Sequence, residues 1–332
     1  MKLVSIVVPC FNEEARIGAL LEAIAEQTYG CEDMEVVLAD GMSTDRTSER
    51  VESFSRTHPH LRLRVIQNPE RSIPSAVNAA VAAARGEIIV RLDGHSRPYP
   101  DYVARCVAGV ESGAGENVGG VWEIRPGAEG WIPASIAAAA AHPLGVGDAL
   151  YRHATRAGFV DTVPFGAFRR DLFEQVGGFD ETLLTNEDYE FNARIRRGGG
   201  RIWLDPQIRS VYYARESLGA LARQYWRYGF WKYRMLRRYP STLRWRQALP
   251  PLFVAAVIFG LLFAWLPVVG GPLIAAVLAY ALVLLAAGFM AALKKGRAFL
   301  LAGLPLAIAC MHLSWGSAFL WSMIAGNRRP AK

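Results

Sequence analysis

The run Leu3-Val4-Ser5-Ile6-Val7-Val8-Pro9 decides the fold class of this chain. It is almost continuously apolar and rich in β-branched residues, which predicts a strand buried on both faces of a sheet. Residues 14–27 follow with apolar side chains at helical spacing. A buried strand followed at once by an amphipathic helix is the first half of a βαβ unit.

The same alternation continues along the chain. Further strands are predicted at 34–40, 63–66 and 87–93, and helices begin within 43–45 and at Ser72. Successive βα units require right-handed crossovers. The chain is therefore predicted to have an α/β fold with a mainly parallel sheet flanked by helices.

Polar residues follow three of these strands at the point where each strand ends. They are Asn12 and Glu13, then Asp40, then Asp93 and His95. In parallel sheets, ligands bind beyond the carboxyl ends of the strands. We therefore expect the three groups to meet in one crevice.

Asp93 and His95 offer a carboxylate and an imidazole on either side of Gly94. In an extended chain they point the same way, and the pair suits Mn²⁺ or Mg²⁺ shared with a substrate diphosphate. Such a metal would offset the charge of a departing phosphate. Asp-Gly is also common in turns, and a turn is the favoured interpretation of this segment taken alone.

Two other carboxylates have both a structural and a functional interpretation. Asp40 either accepts a hydrogen bond from a nucleoside or merely belongs to a capped loop before the next helix. Asp188 lies in the first turn of a helix predicted at 187–197, with Asn186 as N-cap, where the helix dipole favours acidic residues. The functional interpretation makes Asp188 a general base of ordinary aspartate pKa, kept ionised by that helix terminus.

Charge is unevenly distributed along the chain. Residues 1–200 carry 20 Lys/Arg and 28 Asp/Glu, residues 201–246 carry 11 and 2, and residues 247–332 carry 6 and none. The net charge of +7 therefore comes from the C-terminal third. This distribution argues against a nucleic-acid-binding face on the folded domain.

The C-terminal third is predicted to be a membrane region. Residues 247–293 and 298–327 contain no charged residue, and a span needs about 20 apolar residues. We predict a globular domain, a basic amphipathic interface helix and about three transmembrane helices. The globular domain is predicted at 1–215 and the interface helix at 216–246. The membrane region is predicted at 247–327, with spans near 250–266, 272–293 and 299–324. A turn at 266–272 separates the first two spans.

Basic flanks predict the orientation of these spans. The residues before the first span and after the second belong on the cytoplasmic side, as does the globular domain. The third span creates a conflict, because it would carry three further basic residues outside; it could instead be kinked, re-entrant or partly inserted. The basic residues are Arg237, Arg238, Arg244 and Arg246 before the first span, Lys294, Lys295 and Arg297 after the second, and Arg328, Arg329 and Lys332 after the third.

The order of the motifs resembles that of family 2 glycosyltransferases with a GT-A fold, over about residues 3–240. Residues 161–170 and the apolar C-terminal helices narrow this resemblance to the succinoglycan-type exopolysaccharide glycosyltransferases of bacteria. The motifs are Pro9-Cys10-Phe11-Asn12-Glu13-Glu14, Asp40-Gly41-Met42-Ser43-Thr44-Asp45-Arg46-Thr47, Asn78, Ala84-Arg85-Gly86-Glu87, Asp93-Gly94-His95 and Asn186-Glu187-Asp188.

The resemblance implies inverting transfer of a sugar from a nucleotide sugar, usually a UDP-sugar. It implies that Asp40 binds the nucleoside with the loop containing Pro9, Asn12 and Glu13. Asp93 and His95 would take the metal and diphosphate position, and Asp188 would be the catalytic base. Phe165, Gly166, Glu187, Gln224, Arg227 and Tyr228 would flank the acceptor and diphosphate. His95 stands where the family has a second Asp, and Tyr228 where it has Trp.

Three spans are too few for a polymer channel, so we expect a single sugar addition. The acceptor is expected to be a polyprenyl-diphosphate-linked saccharide, reached at the bacterial inner membrane from the cytoplasmic side. One alternative is a glycosyltransferase that acts on polyprenyl phosphate itself. Another is a catalytically silent membrane subunit of a polysaccharide assembly complex. The sequence indicates neither the donor sugar nor the oligomeric state.

Overall fold

The computed structural model describes residues 2–326. The chain divides into two compact units, with boundaries between Glu123 and Ile124, between Ala149 and Leu150, and between Tyr212 and Tyr213. Residues 124–149 thus group with the C-terminal helices, although the sequence placed them inside the domain 1–215. Arg328, Arg329 and Lys332, on which the orientation conflict rests, lie outside the described residues.

The first unit is an α/β structure. Its strands are β1 (Val4–Cys10), β2 (Met34–Asp40), β3 (Arg62–Gln67), β4 (Ile88–Arg91), β5 (Arg97–Pro98), β6 (Asn117–Arg125), β7 (Gly158–Val160), β8 (Ala167–Arg169) and β9 (Ile202–Tyr213), the last residues of β6 and β9 reaching into the second unit. Its helices are α1 (Ile17–Ala25), α2 (Thr47–Thr57), α3 (Ile73–Ala83), α4 (Tyr102–Glu111), α7 (Arg170–Val176) and α8 (Glu187–Arg197), while α5 (Trp131–Ala140) and α6 (Pro143–Val146) belong to the second unit.

The central strands form the core that the sequence predicted. Every residue of β1, β2 and β4 is buried, as continuous apolar runs require. β1 pairs in parallel with β2 and with β4, and β2 pairs in parallel with β3. In this register Val7 lies between Val37 of β2 and Arg91 of β4, so the carboxyl ends of the strands share one edge.

The prediction of a mainly parallel sheet is wrong beyond β4. The strand order is β3-β2-β1-β4-β8-β6-β9-β5, with β7 also paired to β9. The β4–β8, β6–β8, β5–β9 and β7–β9 pairs are all antiparallel. Three of these strands, β5, β7 and β8, have only two or three residues each, and antiparallel pairing does not require the helical crossover that parallel pairing needs.

The second unit is helical. Besides α5 and α6 it contains α9 (Leu218–Arg238), α10 (Trp245–Leu262), α11 (Pro267–Lys295) and α12 (Leu300–Ile324). Within residues 2–326, α11 and α12 are long and apolar enough to cross a membrane, whereas α10 is a shorter apolar helix. The turn predicted at 266–272 is shorter than expected, because Pro267 begins α11. Proline is favoured at a first helical position, where its missing N–H is not needed.

Candidate functional site

The loops after β1 and β2 are cross-linked by hydrogen bonds. The Asn12 backbone N–H donates to Ser43 Oγ (2.9 Å), and Asn12 Oδ1 accepts from the Thr44 N–H (2.8 Å). Ser43 Oγ in turn donates to Asp40 Oδ1 (2.5 Å). Asn12 adopts a left-handed φ of 53° to make these contacts, a conformation that asparagine tolerates better than most residues. The two loops therefore form one ordered edge above the sheet.

Asp40 lies beside a pocket of the first unit. Its side chain is buried and lines the pocket together with Thr47 and Val51 of α2 and Leu63 and Val65 of β3. An apolar pocket with a carboxylate on its wall suits a flat base or a ribose, whose N–H or O–H can donate to that carboxylate. The structural interpretation of Asp40 is confirmed, because its carboxylate accepts from the backbone N–H and the hydroxyl of Ser43 in the loop before α2.

Asp93 and His95 lie in a turn, as the sequence favoured for this segment taken alone. The Ser96 N–H donates to the Asp93 carbonyl (2.9 Å), which closes the turn around Gly94 and His95. His95 Nδ1 lies 3.0 Å from Glu13 Oε1, so the turn is joined to the loop after β1. All three groups of polar residues predicted from the strand ends are thus placed along one edge of the first unit.

Asp93 and His95 suit a metal ion that is bound mainly through the phosphates of the substrate. Within residues 2–326 no three His, Cys, Asp or Glu side chains cluster as a metal site. Mg²⁺ is usually bound through one or two protein ligands, with the remaining positions filled by water and substrate phosphates. Asp93 and His95 can supply two ligands, and the Glu13 carboxylate beside Nδ1 of His95 is the kind of neighbour that orients a metal-binding imidazole.

Arg91 was missed by the sequence analysis, although it organises the carboxylates of the site. Its side chain is 1% exposed, at the end of β4. Its guanidinium bonds to Asp93 (3.1 Å), to Glu187 (3.0 Å) and to Asp188. A signal for this was present, since an arginine inside the apolar run 88–92 must find partners when the strand is buried.

The prediction that Asp188 has an ordinary pKa is wrong. Burial and the charges of Glu187 and Asp93 raise the pKa of Asp188 to about 8, although Arg91 and a hydrogen bond from the Phe165 backbone act in the opposite direction. One guanidinium carries a single positive charge and cannot neutralise three carboxylates in a poorly hydrated site, so one of the carboxylates is favoured to remain protonated. A quarter of the Asp188 side chain is exposed, which leaves the carboxylate accessible to a substrate.

Side chains of α3 and of α8 itself hold the loop that leads into α8. The Asn78 side chain of α3 bonds to both backbone groups of Phe179 (2.8 and 2.9 Å). The Arg194 guanidinium donates to the carbonyls of residues 176–178 at 2.6–2.8 Å. Asn186 occupies the N-cap position with a left-handed φ of 69°. These contacts fix where α8 begins and therefore where Asp188 points.

The remaining predicted residues lie either close to Asp188 in the first unit or on α9 in the second unit. Phe165 and Gly166 lie next to Asp188 and both have left-handed backbone (φ 64° and 84°), a strain that is often found at functional sites. Glu187 is buried against Arg91 rather than presented on an open surface. Gln224, Arg227 and Tyr228 lie on α9 in the second unit, where Gln224 donates to the Tyr228 hydroxyl (3.0 Å) and Arg227 is exposed.

The sequence of this chain matches a known protein family and several known proteins. Residues 5–177 match the model of glycosyl transferase family 2. The chain is 32% identical to the succinoglycan biosynthesis protein ExoA of Rhizobium meliloti, over 98% of this chain and 96% of that protein. It is 26% identical to a Methanococcus voltae dolichyl N-acetyl-alpha-D-glucosaminyl phosphate 3-beta-D-2,3-diacetamido-2,3-dideoxy-beta-D-glucuronosyltransferase, over 98% of this chain and 99% of that one.

A solved structure shares the fold. It is the mannosyltransferase PcManGT from Pyrobaculum calidifontis in complex with GDP-Man and Mn²⁺, which superposes with a TM-score of 0.60 at 24% identity. The match covers 93% of this chain and 87% of that one. At this identity the likeness shows a shared GT-A-like α/β fold and no more. From the family match and the near full-length relative, the chain belongs to glycosyl transferase family 2.

Proposed function

We propose that this chain is an inverting, nucleotide-sugar-dependent glycosyltransferase that adds one sugar to a lipid-linked saccharide. The observation that supports this most directly is the arrangement around Arg91. One buried guanidinium joins Asp93, at the proposed diphosphate position, to Asp188, the proposed base. The two groups needed at opposite ends of the reacting bond are thereby held in a single network.

The donor is bound by the first unit. Asp40 accepts a hydrogen bond from the nucleoside, which enters the pocket between α2 and β3. When bound, Mn²⁺ or Mg²⁺ would be held by Asp93 and His95 and would neutralise charge on the diphosphate. The Asn12–Ser43–Asp40 contacts keep these groups in place before the donor arrives, so little ordering is needed on binding.

Asp188 serves as the general base. The acceptor hydroxyl oxygen attacks the anomeric carbon while the bond from that carbon to the diphosphate oxygen breaks. The hydroxyl proton passes to Asp188, and the nucleoside diphosphate leaves with the bonding electron pair. A base with a raised pKa is well matched to this task near neutral pH, because it holds the accepted proton more firmly.

The acceptor is proposed to be a saccharide carried on a polyprenyl diphosphate. Helices α10, α11 and α12 are apolar, and α9 carries six basic residues and no acidic one. Both curated relatives are named for work on saccharides, one of them dolichyl-linked. We propose attachment to the bacterial inner membrane with the first unit on the cytoplasmic side, where Gln224, Arg227 and Tyr228 flank the acceptor and its diphosphate.

Sugar transfer by purified full-length protein tests this proposal. The donors are UDP-glucose, UDP-galactose, UDP-N-acetylglucosamine and GDP-mannose, each with Mn²⁺ or Mg²⁺. The acceptors are a polyprenyl-diphosphate-linked sugar and bare polyprenyl phosphate. Product on the first acceptor, with inverted anomeric configuration, supports the proposal. Product on bare polyprenyl phosphate alone favours the polyprenyl-phosphate transferase, and no binding of any donor would support the silent subunit.

Variants at Asp188 test the assigned base. We expect Asp188→Asn to lower turnover by about 10²- to 10⁴-fold, the usual contribution of a general base, with donor affinity nearly unchanged. Asp171→Asn makes the same chemical change at an exposed side chain of α7 and should leave turnover unaltered. Full turnover in Asp188→Asn would assign the base to another residue.

A further inference from the structure

The loop 162–166, which leads into β8, contacts both Asp188 and Arg91. The Phe165 backbone N–H donates to the Asp188 carboxylate. The Gly166 carbonyl accepts from the Arg91 backbone N–H (3.0 Å). The position of this loop therefore determines the hydrogen bond that Asp188 receives, and whatever fixes the loop also acts on the proposed base.

Asn192 holds the other end of this loop. It lies on α8 one turn after Asp188, so the two residues share a face of the helix. Asn192 Nδ2 donates to Thr162 Oγ1 (3.0 Å) and to the Val163 carbonyl (3.2 Å). Asn192 is 1% exposed, so these hydrogen bonds are shielded from water. The helix that carries Asp188 is thus attached directly to the loop that binds Asp188.

Asn117 of β6 orients the Asn192 amide. Asn117 Nδ2 donates to Asn192 Oδ1 (2.7 Å), which leaves the Nδ2 hydrogens of Asn192 for the loop. Asn117 is also 1% exposed, and its Oδ1 lies so close to Gly166 that a Cβ added there would be 2.3 Å away. Among residues 2–326 that Oδ1 has no hydrogen-bond partner. The Asn117 amide is therefore held by Asn192 and by packing against the loop.

Two buried asparagines are a costly way to fill this space. Apolar side chains of similar volume would bring no polar groups that need partners. A network whose donors are aimed at particular acceptors instead selects one arrangement of the loop, because displacement leaves those groups unpaired. The loop requires such support, since Phe165 and Gly166 both have left-handed backbone (φ 64° and 84°), which is unfavourable for phenylalanine.

We propose that Asn192 is a positioning residue for Asp188. It holds the loop 162–166 so that the Phe165 N–H stays on the Asp188 carboxylate, and Asn117 keeps the Asn192 amide in the orientation that this requires. The hydrogen bond favours the ionised carboxylate, which is the form that can accept a proton from the acceptor hydroxyl. This role rests on the proposed function, in which Asp188 is the base.

The pH dependence of sugar transfer by full-length Asn192→Ala tests this role. A weakened hydrogen bond from Phe165 should raise the pKa of Asp188 further. The midpoint of the pH–rate profile should then move upward from about 8 by about 0.5–1 pH unit. The rate should fall by about threefold to tenfold at pH 7 and recover to within about twofold of wild type at pH 9.5, where the base is ionised in both proteins. The KM for the donor should be unchanged.

Gln27→Ala is the matched control for the loss of a buried amide. The Gln27 side chain donates to the Ala23 and Tyr99 carbonyls (2.9 and 2.8 Å) and accepts from the Val103 N–H (2.9 Å). Like Asn192, it thus makes two hydrogen bonds as donor and one as acceptor. Gln27→Ala should lower Tm by a similar amount and leave the midpoint of the pH–rate profile unchanged.

A second variant and a second measurement separate the possible outcomes. Thr162→Val removes one acceptor of Asn192 with little change of shape and should raise the midpoint by about 0.3 pH unit or more, which decides the matter if Asn192→Ala does not fold. Infrared titration of the protonated carboxyl band, with Asp188→Asn as the blank, measures the same shift without sugar transfer. That shift in a protein whose wild type transfers no sugar would support the positioning role and contradict the proposed function. An unchanged midpoint in the folded variants, with the rate reduced equally at every pH, would overturn the positioning role.

Discussion

Arg91→Met tests how much the buried charge network contributes to stability, because the substitution removes the guanidinium and keeps most of the side-chain volume. Arg91 is 1% exposed, Glu187 is 9% exposed, and Asp93 and Asp188 are 18% and 25% exposed. Removing one partner of a buried ion pair costs about 3–5 kcal/mol of unfolding free energy, because the remaining charges lose their counter-ion. Two of the three carboxylates reach water, so we expect the lower figure, about 3 kcal/mol.

The loss of unfolding free energy in Arg91→Met should increase as pH rises. In the variant, the three carboxylates repel one another and their pKa values rise above those of the unfolded chain. The folded variant then binds more protons than the unfolded one, so its stability falls as pH rises. The wild-type guanidinium offsets this effect only in part, since the pKa of Asp188 is raised to about 8 even with Arg91 present. We therefore expect the difference in unfolding free energy between wild type and Arg91→Met to be small at pH 5 and largest near pH 8.

Thermal unfolding of the detergent-solubilised protein at pH 5, 6.5 and 8 measures this difference. A loss of about 3 kcal/mol corresponds to a fall in Tm of about 6–12 °C for a unit of this size. Arg97→Met makes the same change at an exposed arginine and should leave Tm unaltered. Arg91→Lys, which keeps one charge, should fall between wild type and Arg91→Met. A loss below 1 kcal/mol, or one that is equal at all three pH values, would refute the reasoning.

Three further predictions concern the base, the metal ligand and the sheet. Because the pKa of Asp188 is raised to about 8, the initial rate of sugar transfer should increase between pH 6.5 and 9; a rate already at its plateau at pH 6.5 would contradict this. Glu13→Gln should weaken Mn²⁺ binding in the presence of a nucleoside diphosphate by about tenfold in calorimetry, because it loosens the His95 ring; equal affinity would remove Glu13 from that role. Gly120→Ala should lower the free energy of unfolding by more than about 2 kcal/mol, since the added Cβ would collide with the Ile208 carbonyl. Gly18→Ala, which has open space around it in α1, should raise the free energy of unfolding by about 0.5–1 kcal/mol. Chemical denaturation of both variants measures these changes.

The parallel half of the sheet could be predicted because each of its strands is a continuous apolar run. β2 was predicted with its observed bounds, Met34–Asp40, and α8 with its observed bounds, Glu187–Arg197. The antiparallel half was not predictable in the same way. β8 is three residues long, and β5 two, so neither offers enough sequence for a period to be recognised.

Only part of the candidate site could be predicted from the sequence, for a related reason. Strand-end polar residues such as Asp40 and Asp93 follow from topology, whereas the partners of Asp188 depend on contacts between residues nearly one hundred positions apart. The raised pKa of Asp188 was missed because the sequence shows its helix terminus and not its burial. Residues 124–149 were missed as part of the helical unit, since α5 alone is too short to signal a membrane segment.

The central claim is that Asp93 and Asp188, joined through Arg91, act on one nucleotide-sugar donor. The most direct test is single-turnover sugar transfer by the full-length wild type, Asp93→Asn and Asp188→Asn, with donor binding measured in parallel by calorimetry. The account predicts that Asp93→Asn loses metal-dependent donor affinity, while Asp188→Asn binds donor normally and fails to transfer sugar. Normal transfer by Asp188→Asn, or unchanged donor affinity in Asp93→Asn, would contradict it.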